Sequence, residues 1–140
     1  MKRPPSAIIG GVARPLPRVR IVRHRTVRAL CMAFFQGMGV RRPEDIQEYP
    51  EMRETIRRDG VWAFVATRSS PPVINYWAAR DADPLHVAYV LGHEVGHISG
   101  KRLRSRRNEW REEARADEYG AAAFLAMRHV LRRGQKARRR

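Results

Sequence analysis

The stretch from Asp83 to Gly100 restricts this chain most, because it is punctuated at both ends as one helix and carries His93-Glu94-Val95-Gly96-His97 inside it. Asp83 offers a side-chain acceptor to the first free amides, Pro84 suits the first helical position, and Gly100 suits the left-handed residue that ends a helix. A helix over 84–99 buries Val87, Ala88, Leu91, Val95 and Ile98 on its core side. The same helix puts residues four apart on one face, so the two imidazoles stand roughly 5–6 Å apart at their Cβ atoms. At that spacing two ring nitrogens reach one tetrahedral ion. Glu94 lies one residue off that face, where its carboxylate addresses water held beside the ion. Five histidines placed at random in a chain of this length give the pattern on the order of once in a hundred sequences.

Two histidines do not make a durable zinc site, so the reading requires a third ligand from a neighbouring element. Glu113-Ala114-Arg115-Ala116-Asp117 supplies one. On a helix starting near Asn108 and ending before Gly134, Glu113 and Asp117 share a face. The glutamate then ligates zinc while the aspartate accepts from the outer N–H of a ligand histidine and fixes its tautomer. Gly96, Ala116, Gly120 and Ala121 are small where the two helices have to approach. Glu109, Glu112 and Glu118 compete with Glu113 for the ligand role.

His93-Glu94-x-x-His97 followed by Glu113-x-x-Ala116-Asp117 resembles the gluzincin pattern of thermolysin-like, ImmA/IrrE-like and membrane-embedded heat-shock and CAAX-processing peptidases. The resemblance covers about residues 61–127 and lies in the motifs. It implies a zinc metalloendopeptidase with His93, His97 and Glu113 as metal ligands, Glu94 as the general base and Asp117 as support for a histidine. The Glu-x-x-Ala-Asp segment is closest to the membrane families. The size and the order helix, sheet, motif helix, ligand helix are closer to ImmA/IrrE-like proteins, with a minimal or phage-type gluzincin as the alternative. The implied cofactor is Zn2+ and the implied partner a protein or peptide substrate.

The rest of the chain fits an α+β, zincin-like fold, with a small, mostly antiparallel sheet packed on the active-site helix and the second ligand helix. Residues 1–17 hold four of the nine prolines and two glycines, which reads as an irregular lead-in. Arg18–Val22 alternates like a half-buried strand, and Val27, Leu30, Cys31, Phe34 and Phe35 recur at helical spacing until Gly37 and Gly39. A helix from Pro43 to about Arg58 and strands at 61–67 and 73–77, joined across 68–72, complete the order. An extended substrate would pair with an exposed edge of one of those strands. A single domain over 18–134 and a basic tail at 135–140 follow.

Composition limits the setting. The chain has 140 residues, enough for one hydrophobic core, and no run near the roughly 20 apolar residues a spanning helix needs. The lone Cys31 cannot form an internal disulfide, which fits a cytoplasmic protein with no membrane partner. The net charge of +15 is unevenly placed, because residues 1–28 carry eight Lys/Arg and no acid, and residues 101–140 carry fourteen against five. Such Arg-rich ends are either solvated tails or a surface for nucleic acid. The alternative to an enzyme is therefore a basic nucleic-acid-associated or peptide-binding protein with a structural or inactive zinc site. Cys31 as a fourth ligand is set against Cys31 as a small core residue. Tyr89, Tyr119, His86 and His129 are candidates for oxyanion stabilisation, none of them assigned.

Overall fold

In the computed structural model, which describes residues 6–66, 70–99 and 109–139, the alternating apolar residues of β4 (Val61–Ala66) and β5 (Val73–Ala78) form an antiparallel pair. Val61 lies opposite Ala78, and Ala66 opposite Val73. Thr67, Arg68 and Ser69 of the expected strand and connection lie outside the described residues. On the other side of β5, β3 (Arg20–Arg23) runs parallel, so the sheet has the order β3-β5-β4 and is mixed. Of the two strands proposed to offer a free edge, β5 has none, because both its sides are paired.

This sheet belongs to a compact unit of residues 19–82. Thr26 caps its first helix, α1 (Val27–Gln36), by accepting from the Ala29 amide at 3.0 Å. Val27, Cys31 and Phe35 follow one another at four-residue steps, which lays them along one stripe that packs with Tyr49 and Ile56 of α2 (Tyr49–Asp59). Trp62 and Trp77 join that cluster from the sheet. Cys31 is fully buried there among apolar side chains, as the reading of a small core residue expects.

The single helix expected from Pro43 to Arg58 is two pieces: a 3-10 turn at Pro43–Asp45 and then α2. Pro50 is the reason. It has no N–H to give to the preceding turn, and it is tolerated only in the first turn of a helix, where it now stands. Gly60, at φ +80°, closes α2 in the left-handed conformation.

The second unit contains residues 6–18 and 83–139. Here the irregular lead-in is corrected: β1 (Ser6–Ile9) and β2 (Val12–Pro15) form an antiparallel hairpin with Ile9 opposite Val12. Gly10 and Gly11 both take positive φ, +59° and +79°, as a two-residue hairpin turn of matching twist demands. Ile9 is 2% exposed, and β1 packs on α4. A cavity of about 370 Å³ opens between the hairpin and the helices, lined by Ile8, Leu16, Val95 and Ala126 among others.

The helices of this unit are α3 (Pro84–Ser99) and α4 (Glu109–Arg138). Asp83 caps α3 through Oδ1, which accepts from the Leu85 amide at 2.9 Å. The expected stop at Gly100 and start at Asn108 lie outside the described residues. Gly134 does not stop α4. A glycine inside a helix costs only about 1 kcal/mol relative to alanine, and the residues that follow, Gln135-Lys136-Ala137-Arg138, are good helix formers with no proline. Residues 135–138 are thus helical. Among the described residues no helix is long and apolar enough to cross a membrane.

Candidate metal centre

The pairing of α3 with α4 rests on missing side chains. Gly92 and Gly96 are the fully buried residues of α3, and they face Ala116, Tyr119, Gly120 and Ala123. A Cβ at Gly92 would stand 2.6 Å from the Ala123 Cβ, and one at Gly120 would stand 3.0 Å from the Tyr89 carbonyl oxygen. Gly96, Ala116 and Gly120 thus sit where the sequence places them. Ala121 does not, being exposed; Gly92 and Ala123 take that role. The apolar residues expected on the core side, Val87, Ala88, Leu91, Val95 and Ile98, are half-buried.

This close approach brings His93, His97 and Glu113 together as a group able to hold a metal ion, with one ligand atom from each within 4.8 Å of the others. The two Nε2 atoms are 3.0 Å apart. The Glu113 carboxylate straddles the pair, with one oxygen 3.3 Å from His93 Nε2 and the other 3.2 Å from His97 Nε2. Ligand atoms 2.0–2.1 Å from a tetrahedral zinc stand about 3.3–3.4 Å apart. Borderline nitrogen donors and one carboxylate at these separations fit a divalent ion such as zinc.

Tautomer and orientation are set from behind. His93 Nδ1–H donates to Asp117 Oδ1 at 3.0 Å, which leaves the Nε2 lone pair facing Glu113 and His97. Tyr89 O–H donates to the same oxygen at 2.9 Å. Burial first, and then Asp117, push the Tyr89 phenol upward, so it remains a donor at neutral pH. The sequence offers Tyr89 as a candidate oxyanion group, whereas its position four residues before His93 is the signal for its actual place. Glu112, a rival to Glu113 for the ligand role in the sequence, takes a different place. It lies with Oε1 3.7 Å from His97 Nδ1, on the outer side of that ring. The Glu109 side chain lies outside the described part of the structure, and Glu118 is exposed.

Glu94 makes no bond within the ligand group. Burial pushes its carboxyl up to about 7, His93 pulls it down and Glu113 raises it again. A carboxyl poised there exchanges protons at neutral pH.

No protein-family model matches the chain, and neither a curated protein nor a solved structure matches it.

Proposed function

We propose that the chain is a zinc metalloendopeptidase of the gluzincin type, with α3 as its active-site helix and α4 as its ligand helix in a zincin-like arrangement. The convergence of His93 Nε2, His97 Nε2 and the Glu113 carboxylate at 3.0–3.3 Å carries the reading. Its element order resembles ImmA/IrrE-like proteins, with a minimal or phage-type gluzincin as the alternative. A buried thiol at Cys31 with no disulfide suits the reducing cytoplasm in which we place it.

When bound, zinc supplies a Lewis acid that polarises a peptide carbonyl and acidifies water. His93, His97 and Glu113 would hold the ion, three protein ligands being the number that catalytic zinc sites use. Asp117, steadied by Tyr89, keeps His93 in the tautomer that offers its lone pair. Glu94 takes the proton of the attacking water at its carboxylate and delivers it to the leaving amine.

Metal analysis of purified protein, paired with cleavage of a mixed peptide library, tests the proposal. The expected result is about one zinc per chain, lost in His93→Ala, His97→Ala and Glu113→Ala, with cleavage lost alongside. A folded protein that takes up no zinc would contradict it.

A further inference from the structure

The second half of α4 has a feature the metal centre does not use. Every residue from Arg128 to Arg139 is exposed, and the chain contains no Asp or Glu after Glu118. On the helix, Arg128, Arg132 and Lys136 follow one another at four-residue steps along one face, with Arg133 and Arg138 to its two sides. Like charges four apart on a helix repel, and packing that could offset this is lacking among the described residues. A polyanion laid along this segment removes the repulsion and releases its own counterions.

We propose that this face of α4 binds the phosphate backbone of double-stranded DNA without reading its sequence. A helix of about 10–12 Å diameter enters a major groove about 12 Å wide, where cations on both its sides meet phosphates of both walls. Guanidinium forks match phosphate oxygens. Single-stranded nucleic acid is disfavoured because residues 128–139 contain no Phe, Tyr or Trp on which bases would stack. Double-stranded RNA is disfavoured by its deep, narrow major groove. A bilayer needs a continuous apolar face, and here that face offers Val130 and Leu131 and then only Gly134 and Ala137. The proposal is independent of the peptidase reading.

Fluorescence anisotropy with a 20-bp duplex over a range of salt concentrations, using the full chain, tests it. The variant Arg128→Gln/Arg132→Gln/Lys136→Gln is compared with Arg23→Gln/Arg25→Gln/Arg80→Gln, which removes the same charge from exposed positions elsewhere. The α4 variant should lose at least about tenfold in affinity, with a salt slope shallower by about 3, while the control stays near wild type. Arg128→Lys/Arg132→Lys should bind nearly as wild type and so separates loss of charge from loss of helix. Equal losses in the two triple variants would show a net-charge effect and overturn the assignment. Tighter binding to a single strand, to duplex RNA or to phosphatidylserine vesicles would overturn the choice of duplex DNA.

Discussion

Gly96 and Ala116 are in backbone contact: a Cβ at Gly96 would stand 2.5 Å from the Ala116 Cα and 3.1 Å from the Tyr119 Cβ. Neither neighbour is the far end of a flexible side chain, so the helices themselves must part to admit a methyl. His93, His97 and Glu113, the group able to hold a metal ion, lie on these same two helices. The Gly96→Ala variant should therefore lose about 1–3 kcal/mol of stability and bind zinc more weakly, as His97 draws away from Glu113. Gly134 is also helical but meets nothing within 4 Å. There the Gly134→Ala variant should gain up to about 1 kcal/mol. Urea unfolding of both variants checks this, and equal tolerance of the two would contradict the close approach.

Asp117 shares one carboxylate oxygen between His93 and Tyr89. Asp117→Asn should weaken zinc affinity or cleavage by about 10–100-fold with the fold intact. Tyr89→Phe removes only the steadying bond and should cost less. Competition with a zinc-responsive chelator measures both, and an Asp117→Asn protein equal to wild type would return the residue to an ordinary surface acid.

Glu112 and Glu113 are neighbours in sequence with different expected roles. Glu113 faces both Nε2 atoms, whereas Glu112 approaches His97 from its Nδ1 side at 3.7 Å. Glu113→Ala should abolish zinc retention on dialysis, and Glu112→Ala should keep it. The reverse pattern would exchange their roles.

Much of this centre was legible in the sequence because it depends on local periodicity. Asp83 and the four-residue step from His93 to His97 specify a helix and a face without reference to anything distant. Glu113 and Asp117 follow by the same reasoning on α4, and the β4–β5 hairpin follows from apolar alternation. What stayed hidden depends on contacts between elements or on glycine read the wrong way. Gly10 and Gly11 look like helix and strand breakers, yet at positive φ they build the turn that makes a hairpin of the N-terminal segment. The places of Glu112 and Tyr89 depend on the phase of α4 against α3, which the small residues at the contact determine. Gly92 and Ala123 complete that contact, and one-helix periodicity does not pair them.

The pH dependence of the metal-free protein follows from Glu94. Its carboxyl is raised from an ordinary 4.5 to about 7, so between those values the folded chain holds a proton the unfolded chain has released. The stabilisation is therefore complete below about 4.5 and is lost as pH rises through about 7, by roughly 3 kcal/mol at most. Glu94→Gln stays neutral throughout and should flatten that part of the profile. Unfolding of chelator-treated wild type and Glu94→Gln from pH 4.5 to 8 checks this, and parallel profiles would contradict it.

Zinc content and peptide cleavage measured on the same preparations of wild type and Glu94→Gln test the central claim most directly. Glu94 is outside the ligand group, so the variant should keep about one zinc per chain. Its cleavage of a varied peptide library should fall by about 10²–10⁴-fold, the loss expected for a positioned general base. Undiminished cleavage by a zinc-loaded Glu94→Gln protein, or no cleavage by zinc-loaded wild type across that library, would contradict the account.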